Sequence, residues 1–241
     1  MSITKAIETY RKNYDAAILF AMPLLLSIIL ILLYPYPTFT SLGGIFLRVV
    51  TVEDLGIFGI GMIIAILLLS IALLGTTISA ISLIVKEERV GHKIKYSLFV
   101  EAIKTYTITI SVFYLLLFLL LEGIQLAVYM LGIDAILYSV LSLALSYVLF
   151  FAPFAMVIDD YSIPRGIMAG FEHLKTKPLD PLKWFFAIMA TNLIVMLIFS
   201  LFMDYSAAKI LVTVINGLVL LPFMIVYGAH MYVDKYPMTR K

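Results

Sequence analysis

The chain contains no cysteine, which excludes disulfides, thiolate metal sites and a cysteine nucleophile together and leaves the redox compartment unread. Histidine is scarce. His92 lies in a basic loop, His173 on a short helix and His230 near the last apolar boundary, all read as solvated or at headgroup level. None stands in H-E-x-x-H spacing, so no metal site is expected. There is no phosphate-cradling G-x-x-x-x-G-K, no G-x-S-x-G elbow and no segment polar enough for a soluble catalytic domain. Asp159-Asp160 does not make a paired-carboxylate site, because adjacent helical residues point about 100° apart; the two acids read as the polar end of a span. The expectation is a protein that is not an enzyme, holds no cofactor and binds no nucleic acid.

Charge is also in short supply. Only 13% of residues are Asp, Glu, Lys or Arg against 63% hydrophobic, and the mean hydropathy is +1.09. That balance belongs to an all-α polytopic membrane protein. Apolar stretches cover residues 16–34, 56–85, 106–121, 135–158, 184–202 and 208–232, most of them near or above the roughly 20 residues that cross a bilayer core. Six transmembrane helices in a single domain, residues 1–241, follow. A closed β-barrel would alternate polar and apolar residues, and these blocks are apolar all round. The first block lacks a small-residue cleavage site and stays as a span rather than a signal peptide.

Basic residues are distributed unevenly. Lys5, Arg11, Lys12, Lys86, Arg89, Lys93, Lys95, Lys104, Arg165, Lys175, Lys177, Lys183, Lys235, Arg240 and Lys241 fall on one side, and only Arg48 and Lys209 on the other. Fifteen against two predicts a cell-membrane protein with both termini in the cytoplasm. The acids divide ten to five, so the net charge of +2 says little about either face.

Two phrases repeat, "AIETY" at residues 6–10 and "AIKTY" at residues 102–106, each just before an apolar block. Around the second, Leu98, Ala102, Ile103 and Tyr106 share a helical face that Glu101, Lys104 and Thr105 avoid. Around the first, Ile7, Tyr10 and Tyr14 oppose Glu8, Arg11 and Lys12. Both read as amphipathic helices lying along the headgroup boundary. A weaker third copy is expected at residues 167–171, "IMAGF", on a helix that Ser162 caps and Pro164 begins. Each phrase then introduces one transmembrane hairpin, and three such units make six spans.

Few polar or helix-breaking residues enter the spans. Pro23, Pro153 and Pro222 lie in the inner half of the membrane, at the depth of Gly75-Thr76-Thr77, Ser79 and Ser82. They either allow close helix packing or splay the helices into a cytoplasm-facing crevice. Asn192 and Asn216 are expected to meet near the midplane as a carboxamide clamp. Glu122, Asp134 and Asp204 sit near outer ends, residues 123–131 are expected to lie along the outer interface, and Gly56, Gly59 and Gly61 read as a helix-packing surface.

The stretch "APFAMVIDD", residues 152–160, followed by "GIMAGFEHLKTKP", residues 166–178, resembles a signature of the poorly characterised six-helix membrane proteins of archaea and bacteria. These are related to the membrane domain attached to some glycerophosphodiester phosphodiesterases. The resemblance implies the same membrane plan; phosphodiester chemistry in the fused relatives belongs to a separate soluble domain, so no catalytic residue carries over. The expected function is a scaffold or accessory subunit that binds lipid headgroups, or a membrane or cytoplasmic protein partner, through its basic face. Lys93, Lys95, Lys104, Arg165, Lys175 and Lys177 are the candidate headgroup ligands. The alternative is a small transporter for a solute or lipid.

Overall fold

The computed structural model describes residues 2–33, 39–42, 45–48, 52–132 and 135–234; Asp134, Lys235, Arg240 and Lys241 lie outside them. In chain order the helices are α1 (Ser2–Lys12), α2 (Tyr14–Leu33), α3 (Val52–Val90), α4 (Ser97–Thr105), α5 (Thr107–Met130), α6 (Ala135–Leu149), α7 (Ala152–Ile158), α8 (Ile163–Thr176), α9 (Asp180–Phe202), α10 (Tyr205–Ile215) and α11 (Leu221–Val233). A two-stranded antiparallel ribbon, β1 (Phe39–Leu42) and β2 (Ile45–Arg48), joins α2 to α3. It leaves the class all-α.

Five stretches are long and apolar enough to cross a bilayer: Gly56–Val90, Thr107–Met130, Ile136–Ile158, Asp180–Phe202 and Ile210–Val233. The apolar helix α2 precedes them. The chain is therefore an all-α polytopic membrane protein. Residues 123–130, expected along the outer interface, instead continue α5 as one helix of 24 residues; the lone Gly123 weakens a helix without ending it. Of the expected glycine surface, Gly59 is buried but the other two glycines do not pack. Gly56 takes φ 59° and breaks the start of α3, and a side chain at Gly61 would meet nothing within 4 Å.

The prolines act differently from one helix to the next. Pro23 is absorbed within α2. Pro153, which lacks an N–H and crowds the carbonyl four residues back, separates α6 from α7. Pro222 comes just after a π-helical turn, Asn216–Leu220, which joins α10 to α11. Val219 in that turn offers its carbonyl to the Tyr10 hydroxyl, 3.3 Å away.

A helix buried all round must be enclosed by others. Residues 75–85 of α3 and 151–158 at α7 are buried without interruption, and most of α11 from Pro222 to Tyr232 is buried with them. These second spans of the three hairpins pack on one another at one end of the molecule. At the opposite end the helices are bare: Phe58 is 82% exposed and Phe202 80%. Such apolar surface suits acyl chains.

Each short helix sits on the second span of the preceding unit: α4 on α3, α8 on α7, and α1 on α11, which closes the ring. The contact position requires a small residue. Ala6 and Ala102 are fully buried, and at Gly170 an added Cβ would lie 2.8 Å from the Ala152 backbone nitrogen. The third copy of the phrase is therefore "GFEHL", residues 170–174, three positions later than the sequence suggests. Seating on the neighbouring span sets the register, and at residues 167–171 that criterion puts Ile167 where a small residue is required.

Candidate functional site

The three central helices finish in acids: Glu87 and Glu88 on α3, Asp159 and Asp160 after α7, and Asp234 after α11. A helix C-terminus carries partial negative charge, so acids there need partners. Lys86 supplies the densest set. Its Nζ donates to both carboxylate oxygens of Asp160 at 2.7 Å, to the Tyr106 hydroxyl at 3.0 Å and to the Val157 carbonyl at 3.1 Å. The Tyr106 hydroxyl donates in turn to Asp160. Asp160 takes φ 56°, the only non-glycine residue at positive φ among the described residues, in a region that aspartate tolerates better than most. Partial burial pushes its carboxyl upward, but the hydrogen bonds from Lys86 and Tyr106 and the Lys86 charge hold it below the usual carboxylate range. Burial first, then the bond to Asp160, raises the Tyr106 hydroxyl.

The remaining acids have their own partners. Tyr232, fully buried, donates to Asp159 at 2.5 Å. Lys12 lies 3.5 Å from Glu88, Lys5 lies 3.8 Å from Asp234, and His92 Nδ1 lies 2.7 Å from Glu87. Asp159 and Asp160 thus tie the α7 terminus to α11 and α3 rather than merely ending a span. Sequence reasoning missed this cluster, because Lys86, Tyr106 and Asp160 are far apart in the chain.

Behind this charged layer the polar groups are packed inward. His230 Nε2 is 2.9 Å from Thr9 Oγ1, joining α11 to α1. His173, expected at headgroup level, is 3% exposed, with its ring against Phe151 and Tyr232 at centroid distances of 4.4 and 5.4 Å. Thr9 and His173 occupy the same position of the repeated phrase, and both fill the contact with the preceding span.

The proposed kink residues do not line an opening. Thr77, Pro153 and Pro222 are buried, Thr76 nearly so and Pro23 half so. Gly75 approaches Ser111 so closely that a Cβ would come within 2.5 Å of its Oγ, and Thr107 Oγ1 lies 3.3 Å from Thr76 Oγ1. Small residues here let α3 and α5 pack tightly. The carboxamide clamp is not formed: Asn192 Nδ2 donates to the Ile188 carbonyl at 2.9 Å, one turn back on its own helix, and Asn216 Oδ1 is buried with no hydrogen-bond partner. Equal depth does not bring two side chains together unless they face each other. Asp204 caps α10, accepting from the Ala207 N–H at 2.8 Å.

No protein-family model, curated protein or solved structure matches this chain. Its chemistry is read from its own geometry.

That geometry sorts the basic residues. Lys5, Lys12, Lys86 and Lys183 are in ion pairs with protein carboxylates. Lys93, Lys95, Lys104, Arg165 and Lys175 are exposed and Lys177 half-buried, and none of the six has a carboxylate partner among the described residues. Lys175 lies 4.6 Å over the Phe171 ring. Lys93 also lines a recess of about 440 Å³ together with Lys12, Asn13, Glu88 and His92.

Proposed function

We propose that the protein is a non-enzymatic membrane scaffold or accessory subunit whose charged end engages anionic lipid headgroups. That end faces the cytoplasm, as the fifteen-to-two division of basic residues favours, and α1, α4 and α8 lie as amphipathic helices at the headgroup level. The same plan agrees with the resemblance to six-helix membrane proteins of archaea and bacteria.

The observation that carries this reading is the division of labour among cations. The lysines that hold the fold together are matched by acids, whereas all six sequence-derived headgroup candidates are left without carboxylate partners among the described residues. Each near-surface basic residue contributes about 1 kcal/mol toward anionic lipid. The transport alternative lacks a comparable observation, because Thr76, Thr77, Pro153 and Pro222 are packed within the core.

Changing Lys93, Lys95, Lys104, Arg165, Lys175 and Lys177 to Gln tests it. After extraction in mild detergent from membranes of mixed phosphatidylglycerol and phosphatidylcholine, the natural chain retains lipid enriched in phosphatidylglycerol. The variant retains the two in their bulk ratio. Equal enrichment in both proteins rejects the proposal.

A further inference from the structure

Beside the recess at Lys93 lies a second one of different character. It measures about 360 Å³ and is lined by Ile18, Leu19 and Met22 of α2, with Asp15 and Tyr96. The two recesses are flanked by the same pieces of chain. Lys12 and Asn13 of the first continue directly into Asp15 and Ile18 of the second, and the segment bearing His92, Lys93 and Ile94 continues to Tyr96. Descending α2 at about 1.5 Å per residue, Met22 lies about 14 Å below Asn13. A polar recess at the charged end and an open apolar one thus follow each other along the same two segments of chain.

We infer that these two recesses form one site for a single anionic glycerophospholipid whose headgroup carries a hydroxyl, with the headgroup in the recess at Lys93 and an acyl chain in the groove on α2. This rests on the headgroup-binding reading and sharpens it from a charged surface to a discrete site. Lys93 and Lys12 place two ammonium groups around the recess, a match for one phosphodiester. Lys93 has no carboxylate partner among the described residues, and the Lys12 side chain is 72% exposed although it pairs with Glu88. Glu88 gives the second half of the recognition. Its carboxylate lines the recess and faces Lys12 through Oε1 at 3.5 Å, and that oxygen is an acceptor for a ligand hydroxyl. Asp15, at the junction, disfavours the phosphate there and keeps it on the Lys12–Lys93 side. Below it, Leu19 is 44% and Met22 47% exposed, an apolar wall open to an acyl chain. Tyr96, 64% exposed, stands at the level where an amphipathic ring is favoured.

Native mass spectrometry of the full chain from nanodiscs of equal phosphatidylglycerol and phosphatidylcholine tests the site. One phosphatidylglycerol is expected to persist per chain. Lys93→Gln lowers its occupancy about fivefold, the equivalent of one headgroup lysine. Met22→Trp, which fills the groove without changing charge, lowers it as well. Both positions are exposed, and an unchanged melting temperature shows that either variant still folds. Phosphatidylmethanol, with the same charge and no headgroup hydroxyl, competes poorly. Equal competition by phosphatidylmethanol, or full occupancy in Met22→Trp, overturns the proposal. If bulk enrichment in anionic lipid survives but no single lipid persists, the discrete site fails and the headgroup-binding surface stands; if enrichment is also absent, both fail.

Discussion

At the scale of single residues, Lys86 and Asp160 join two of the central helices through a contact that is sheltered on one side and wet on the other, the lysine side chain being 20% exposed and the aspartate 62%. Asp160→Asn preserves size and tolerance of positive φ but removes the charge. It is expected to destabilise the protein by about 1 kcal/mol in a thermal melt in detergent, below the about 1.5–3 kcal/mol of a well-buried charged hydrogen bond because solvent screens the aspartate. Lys86→Met made on top of Asp160→Asn costs less than when made alone, since the pair has already been broken. The pH dependence has a defined sign. The folded carboxyl titrates below the unfolded value of about 3.9, so its contribution is complete above that value and is lost as pH falls through the lowered one. The difference in melting temperature between the natural chain and Asp160→Asn is therefore constant near neutrality and shrinks only in acid. A difference that fades between pH 8 and 6 would assign the effect to another group.

At the scale of elements, the fold depends on short helices laid across the ends of long ones. Gly166 and Gly170 are the clearest case, because both face α7 but meet different atoms. A Cβ at Gly170 meets Ala152 backbone at 2.8 Å, whereas one at Gly166 meets Met156 Cγ at 2.5 Å and backbone, the Ala152 carbonyl, only at 3.3 Å. Backbone cannot step aside, while an unbranched methionine side chain can turn away. Gly170→Ala is expected to lower stability by about 1–3 kcal/mol, and Gly166→Ala by less, helped by the better helix propensity of alanine. Thermal melts of the two variants decide the order, and equal losses would place the close approach elsewhere. The elements themselves were legible: hydropathy found the apolar helices, and the repeated "AIETY" and "AIKTY" announced the short ones. The third register was not, because it depends on which residue meets the neighbouring span, and an apolar residue at 167 satisfies a local pattern equally well. The α6–α7 break was signalled by Pro153, but the continuation of α5 through residues 123–130 was obscured by Glu122, Gly123 and Gln125, none of which ends the helix. Asn192 and Asn216 failed as a pair for a similar reason, since depth is readable from residue number and facing direction is not.

At the scale of the whole molecule, the charge division favours an orientation that a reporter can check. A fluorescent or enzymatic reporter fused after Lys241 should be inaccessible to impermeant reagents outside intact cells, and external labelling of it would reverse the assignment. The candidate site was only half visible at this scale. Its lysines could be counted in the sequence, but the distinction between cations paired with protein carboxylates and cations without such a pair among the described residues depends on Asp160, Asp234 and Glu88 arriving from distant parts of the chain. The ring of short helices also has a consequence in time. Helices α4 and α8 rest on spans that are synthesised before them, but α1 rests on α11, which is synthesised after every other described helix. Its buried face, with Ala6 and Thr9, waits through the synthesis of all the intervening helices before its partner exists. Closure of the ring thus waits for α11, and a chain truncated before that helix leaves α1 undocked, so that a lesion late in the sequence is displayed at one of its early helices.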